Sequence, residues 1–478
     1  MTELKELRTT ALSGLAWTLV AFSVTMALRL GSNLILTRLL APTDFELMTM
    51  AAVVMTGLGM LSDTGIVPSI VRSPRGDDQT FLNTAWTMHI GRGCMLLATT
   101  LAIAVPVARF YEQHDLRYIL PVAGFGALVA SLESTKLYSL KRRMKLRPAT
   151  VIDIQSQAAG IFTMVALALA TRSVWALVVG SLCANVVKTL LTHRLEGPRN
   201  GLAWDRPAVG EIVSFGWWVF LSTAISFLSM QGDKLILGKI TSEDPLGEGL
   251  LGIYGVAATL AVVPQQIVAM CSESVLMPLY SRLLFMGPEG RDAAAAARRK
   301  MLFAAAVPTG LFSGLIGPAV TVLYDPRWHA AGPIAAVLSA TTWVNAMQVS
   351  YGALIIARGK PKFIALGTFL KATLLFACSW LAYSHWGMIG VAFTMMVGEV
   401  LVLLVCYTAS RDFLPGSHRI DALATLLAVA VGGGVFGACE ALAVATGSTA
   451  VGVVGVGMVL GAVAFHFRAK LREFLPRR

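Results

Sequence analysis

The sequence is built from apolar blocks of about 20 residues, separated by short polar segments. A helix of that length spans roughly 30 Å, the thickness of the hydrocarbon core of a bilayer. About fourteen spans can be drawn, at roughly 11–37, 46–70, 83–108, 118–135, 149–170, 174–192, 212–233, 250–276, 301–323, 331–357, 363–383, 387–409, 421–441 and 447–467. Only 14% of the 478 residues are charged and 56% are hydrophobic, with a mean hydropathy of +0.69. A soluble protein of this size needs more charge to cover its surface. The expected fold class is all-α integral membrane, with loops too short to form a soluble domain.

The formal net charge is +12, a balance that can signal nucleic acid. Here Lys and Arg fall mostly in the even-numbered loops and at both ends, which is the positive-inside pattern of a multi-pass protein with both termini cytoplasmic. The segment KLYSLKRRMKLR, Lys136 to Arg147, carries six basic residues and no acid. The expected location is a membrane that the chain crosses many times, with no nucleic-acid partner.

An internal repeat is visible. MLSDTGIVPSIVR (Met60 to Arg72) is echoed by MCSESVLMPLYSR (Met270 to Arg282) at an offset of 210 residues, and GSNLILTR (Gly31 to Arg38) by GDKLILGK (Gly232 to Lys239) at 201. Spans 1 and 2 thus correspond to spans 7 and 8. Six spans separate the copies, so both keep the same orientation, a parallel repeat about an axis along the membrane normal. The expected organisation is two pseudo-symmetric six-helix bundles, 1–200 and 201–414, around a central cleft, followed by an added helix pair and basic tail over 415–478. Gly433-x3-Gly437 and Gly457-x3-Gly461 in that pair suit close helix packing. Such paired bundles are a transporter layout.

Charges inside spans are costly, about 2.5–3.5 kcal/mol each on insertion scales, and need a cavity or a partner. Three basic residues are singled out: Arg29, Arg92 and Lys371. Thr25, Arg29 and Asn33 share one helix face by their spacing. The three cations could line a wet cleft that attracts an anion. Asp63 and Glu273 occupy matching places in spans 2 and 8. Asp233 ends a polar stripe in span 7, Asp153 and Gln157 share a face in span 5, and Glu399 sits in span 12. These acids read either as proton or cation sites or as structural ion pairs. In the repeated motif, Pro68 and Pro278 are expected to kink the helix, with Arg72 and Arg282 anchoring its cytoplasmic end.

The six cysteines form no CxxC pair, and no HExxH or other zinc spacing occurs. The Gly-Lys pairs are followed by Ile240 and Pro361, so no Walker A loop is present. An enzyme, a metal and a bound cofactor are not expected. Coupling to a proton or sodium gradient stays open, with Asp63, Asp233, Glu273 and Glu399 as candidate sites. The charged GPEGRDAAAAARRK, Gly287 to Lys300, reads as a solvated helical linker.

LAPTDFELMTMAAVV, LSDTGIVPSIVR, GDKLILGKI, LGIYGVAATLAVVPQQI and PLYSRL resemble the polysaccharide transporter branch of the multidrug/oligosaccharidyl-lipid/polysaccharide flippase superfamily. The likeness runs from about Ser13 to Arg411. It implies an oligosaccharide on a polyprenyl pyrophosphate carrier, moved from the cytoplasmic to the periplasmic leaflet for lipopolysaccharide or exopolysaccharide synthesis. A polysaccharide polymerase and chain-length or export proteins are possible partners. On this reading Arg29, Arg92 and Lys371 would hold the pyrophosphate. Asn33, Gln157, Gln266, Asn345 and Gln348 would offer amides to the sugars. Only the Asp233–Lys234 pair stands squarely in a shared motif, near the periplasmic end of span 7, where it would help close an outward gate.

Three alternatives remain at this point. A drug/cation antiporter of the same superfamily would favour an acidic cleft, against the three in-span cations. A lipid II flippase shares a basic cleft and fourteen spans. A membrane glycosyltransferase or polymerase is disfavoured, because neither a large periplasmic loop nor an Asp-x-Asp motif is present.

Overall fold

The computed structural model describes residues 22–63, 65–143, 146–272, 276–284, 286–454 and 456. Among them there are helices and turns but no strand. Among the described residues, eight helical segments are long and apolar enough to cross a membrane. The chain is an all-helical, multi-pass membrane protein. It divides into two compact units, Met1–Gly255 and Val256–Arg478.

In the first unit α1 covers 22–39 and α2 Pro42–Leu61. Pro42 opens α2 because its fixed φ suits a first turn, and the Asp44 carboxylate accepts the Ala41 amide at 3.0 Å. The short α3 (Ile66–Arg72) follows, then α4 (Gln79–Phe110), α5 (Leu116–Ser131), α6 (Lys136–Arg142), α7 (Leu146–Thr171), α8 (Trp175–His193) and α9 (Arg206–Glu243). Helix α7 packs on α8, α4 on α5, α5 on α8 and α2 on α9. Polar side chains of α8 seal the α5 carbonyls turn by turn. Asn185 donates to Gly126 at 3.3 Å and Thr189 to Val129 at 2.9 Å, and His193 Nε2 lies 2.8 Å from the Leu132 oxygen. In hydrocarbon such groups find no water, so the bonds must be made within the protein.

Residues 194–205 between α8 and α9 run without a helix, yet they are fastened to α4. Gln79 donates to the Arg199 carbonyl (3.2 Å), and the amides of Gly201, Ala203 and Asp205 donate to Asn83, Thr87 and Thr84 (3.1, 3.0 and 3.1 Å). The segment thus has a fixed course over one polar face of α4.

Helix α10 (Leu250–Ala261) begins in the first unit and ends in the second. The second unit continues with α11 (Val263–Cys271), α12 (Met277–Leu283), α13 (Gly287–Leu323), α14 (Ala331–Ala357), α15 (Lys362–Ser410), α16 (Ser417–Thr446) and the helical residues 449–454. α15 is broken at Gly387, whose φ of 58° and ψ of −146° suit only glycine. That break falls where spans 11 and 12 were expected to part.

Two expectations are corrected by local geometry. The first copy of the repeated motif does not kink its helix at Pro68. Helix α2 ends at Leu61, the Asp63 carboxylate takes the Gly65 amide at 2.9 Å, and Gly65 turns with φ of 65°. Pro68 then lies in the first turn of α3, where an amide has no helical acceptor to lose. Pro278 likewise lies in the first turn of α12. The first copy of the motif thus builds a full break and a restart, while residues 273–275 of the second copy lie outside the described residues.

The second correction concerns the glycines of the last pair. Among the described residues, a Cβ on Gly433 or Gly437 would meet nothing within 4 Å. Close packing is made instead by α13 on α16: a Cβ on Gly310 would lie 2.4 Å from the Ala428 carbonyl oxygen, and one on Gly314 would lie 2.3 Å from that of Gly432. Gly457 and Gly461 lie outside the described residues.

Candidate functional site

In the first unit, Arg29 is exposed on α1 and its guanidinium makes no ion pair with a described residue. Ser32 donates to its carbonyl at 3.0 Å. Asn33, one turn on, is half-buried, and its carbonyl accepts from Thr37 at 2.8 Å. Gln157 is half-buried on α7.

Arg92 reaches from α4 to the end of α2. Its Nε donates to Ser62 Oγ at 3.0 Å and its Nη2 to the Gly59 carbonyl at 2.7 Å. Thr223 of α9 donates to the Met60 carbonyl at 3.0 Å. Helix ends leave carbonyls without helical donors and gather partial negative charge. Arg92 and Thr223 together cap α2 where the motif breaks it, beside the turn closed by Asp63.

Asp233 is buried. Tyr254, itself fully buried, donates to its Oδ2 at 2.8 Å. Lys234 Nζ is 3.9 Å from Oδ1 and donates to Gln231 at 3.0 Å. Glu273 lies outside the described residues.

In the second unit, Lys371 and Glu399 form a buried ion pair, Nζ to Oε1 at 2.6 Å, with the residues 3% and 8% exposed. Asn345 donates to Glu399 Oε2 at 3.4 Å and to Gln348 at 3.1 Å. Gln266 is half-buried on α11. So Lys371, Glu399, Asn345 and Gln348 meet in one cluster. In the first unit, Asp233 meets Lys234, and Arg92 meets the residues just before Asp63. Arg29 and Gln157 make no hydrogen bond or ion pair with any other of these candidates.

Three charged residues were missed. Lys188 lies inside the expected sixth span and bridges Glu133 (3.4 Å) and Asp153 (3.3 Å). Its position in the span was the signal. Glu46 opens the expected second span. It is 2% exposed, and its carboxylate accepts the Gly249 amide at the start of α10 and the Thr241 hydroxyl. An anion at a helix N-terminus is favourable.

Arg298 was placed in a solvated linker, but it is 1% exposed. It pairs with Asp421 of α16 at 2.7 Å, donates to Ser350 at 2.9 Å and stacks on the Tyr351 ring at 3.8 Å. Tyr351 in turn donates to Asp421 and accepts from the Ser417 hydroxyl at 2.9 Å. No local feature of the alanine-rich linker marks this, because the partners lie more than fifty residues away in sequence.

Outside the expected spans, the basic segment after α5 is partly neutralised. The Arg143 and Arg142 guanidiniums hold the Asp77 carboxyl below its usual range. Arg142 also donates to the carbonyls of Ile70 and Ser73, tying α6 to α3. Among the described residues no group of three or more His, Cys, Asp or Glu is placed to hold a metal.

The chain is 21% identical over 426 residues to the lipopolysaccharide biosynthesis protein WzxC of Escherichia coli (strain K12), covering 86% of this chain and 83% of WzxC. It is 22% identical to the succinoglycan biosynthesis transport protein ExoT of Rhizobium meliloti (strain 1021), over 69% of this chain and 66% of ExoT. The fold is that of lipid II flippase MurJ in an inward closed conformation (TM-score 0.70, 10% identity, 96% of this chain and 100% of MurJ). An inward-facing multidrug resistance MATE transporter also matches (TM-score 0.64, 16% identity, 85% and 98% covered). The family model described as polysaccharide biosynthesis protein matches residues 35–333, more than half of the sequence, and the chain belongs to that family.

Proposed function

We propose that the chain is a flippase. It moves an oligosaccharide on a polyprenyl diphosphate carrier across the bacterial inner membrane by alternating access, for lipopolysaccharide or exopolysaccharide synthesis. The observation that carries this is the family match over residues 35–333, joined to helices that suit a membrane crossing. The reading includes fourteen spans with both termini cytoplasmic. It divides them into pseudo-symmetric bundles at 1–200 and 201–414 around a cleft, with an added pair over 415–478.

Arg29, Asn33, Arg92, Gln157 and Lys371 are the proposed substrate-facing set. Exposed Arg29 is the best placed to meet a diphosphate. Arg92 acts by holding the end of α2, and Lys371 would reach an anion only by leaving Glu399. Asp63, Asp233, Lys234, Glu273 and Glu399 are the proposed coupling or gating set, on a proton or sodium gradient. A polymerase and chain-length or export proteins are the proposed partners.

The test is complementation of a flippase-null strain by the wild type and by Arg29→Ala and Arg92→Ala, with surface polysaccharide as readout and membrane levels checked by blot. The reading expects polymer from the wild type and loss of polymer from well-expressed variants. Polymer from Arg29→Ala at wild-type levels would remove that residue from the substrate-facing set.

A further inference from the structure

Two cavities of the second unit, of about 340 and 320 Å³, present almost only carbon to their interior. A third differs. It lies within the first unit, between α2, α5 and α8, and its volume is about 410 Å³. That is inside the range of about 300–1,000 Å³ usual for small-molecule sites.

The space exists because small side chains face it, among them Ala52, Ala123 and Gly126. Ala52 is exposed, so the cavity is reachable from outside the unit. Three polar side chains line it, one from α2 and two from α8. Thr56 makes no hydrogen bond with a described residue and can donate or accept. Ser181 spends its proton on the Val178 carbonyl at 2.8 Å, leaving its oxygen as an acceptor. Asn185 donates through Nδ2 to the Gly126 carbonyl at 3.3 Å, leaving its Oδ1 as an acceptor. No charged residue lines the cavity.

A ligand for such a site is neutral, offers hydroxyl donors on one edge and carries C–H surface elsewhere. A diphosphate is unsuited, because no cation faces it. A hydrocarbon tail would leave the polar groups unused. We propose that this cavity receives a sugar ring of the transported unit. The proposal rests on the flippase reading, and it places carbohydrate recognition inside the first unit.

The experiment uses the full-length protein in a flippase-null strain, with surface polymer measured at matched membrane levels and the melting temperature of each purified variant. Wild type is read first: its failure to restore polymer would count against the flippase reading and would take this proposal with it. Ala123→Leu fills the cavity and Thr56→Val removes a hydroxyl at nearly constant shape. For a mere packing defect, filling it raises stability and leaves transport alone. For a sugar site, Ala123→Leu keeps or raises the melting temperature and cuts polymer at least about tenfold, and Thr56→Val cuts it about three- to tenfold, as for one lost hydrogen bond.

Wild-type polymer from both variants overturns the proposal. Loss with Ala123→Leu but not with Thr56→Val indicates an apolar occupant and overturns it as well. If Ala123→Leu does not accumulate, Thr56→Val decides alone.

Discussion

Asp421→Ala removes the counter-charge of the most deeply buried arginine among the described residues. Arg298 is 1% exposed, and its other contacts are a serine hydroxyl at 2.9 Å and the face of Tyr351. Neither carries a negative charge, so the variant strands a guanidinium inside the second unit. Breaking a buried pair in this way costs about 3–5 kcal/mol. The lower end applies, because the Asp421 side chain is 15% exposed and water partly takes its place. The Tyr351 hydroxyl also loses an acceptor, adding about 1 kcal/mol. For a unit of this size, about 3–4 kcal/mol lowers the melting temperature by roughly 6–16 °C.

The assay is thermal unfolding of the purified protein, comparing wild type, Asp421→Ala and the double variant Arg298→Met/Asp421→Leu. Since the double variant removes both charges, it should recover most of the loss. The reasoning is refuted if the single variant melts within about 1 °C of wild type, or if the double variant falls further than the single.

Two further outcomes follow from the same structure. Gly314→Ala places a Cβ 2.3 Å from the Gly432 carbonyl oxygen, a backbone atom that moves only with its helix. It should cost about 1–3 kcal/mol, whereas Gly433→Ala should be neutral in the same melting assay. Asp412 lies between α15 and α16. The bidentate Arg358 guanidinium holds its carboxyl at about 2, below the unfolded value of about 3.9. The pair's contribution is therefore full above about pH 4 and lost as pH falls toward about 2. Asp412→Asn should destabilise at pH 7, and the difference should shrink as pH falls through about 2. Because the Asp412 side chain is 59% exposed, solvent limits the effect to about 0–1 kcal/mol.

The membrane class was legible because apolar block length is a direct measure of hydrocarbon thickness. The boundary near Gly387 was legible for the same reason. The break after α2 was not, since Pro68 suggests a kink. Whether a proline kinks a helix or opens one depends on where the helix starts, and here a side-chain bond from Asp63 sets that for α3. In-span charges could be picked out by type, but their partners could not. Lys371 meets Glu399 from 28 residues away, and Arg92 meets Ser62 from 30. Arg298 was hidden by its own surroundings, an alanine-rich charged run that looks solvated until Tyr351 and Asp421 fold over it. Glycine spacing showed that helices could approach closely. It did not show that Gly310 and Gly314 of α13 would make the approach in place of Gly433 and Gly437.

The central claim is that this chain moves a lipid-linked oligosaccharide between leaflets. The most direct measurement reconstitutes purified protein in liposomes with a polyprenyl diphosphate-linked oligosaccharide in both leaflets, and follows the fraction open to a membrane-impermeant sugar-oxidising or glycosidase reagent. The account predicts that the protected pool becomes fully accessible over time with wild type, and much more slowly with Arg29→Ala. A pool that stays half protected with correctly folded wild type, under an imposed proton or sodium gradient of either sign, would contradict it.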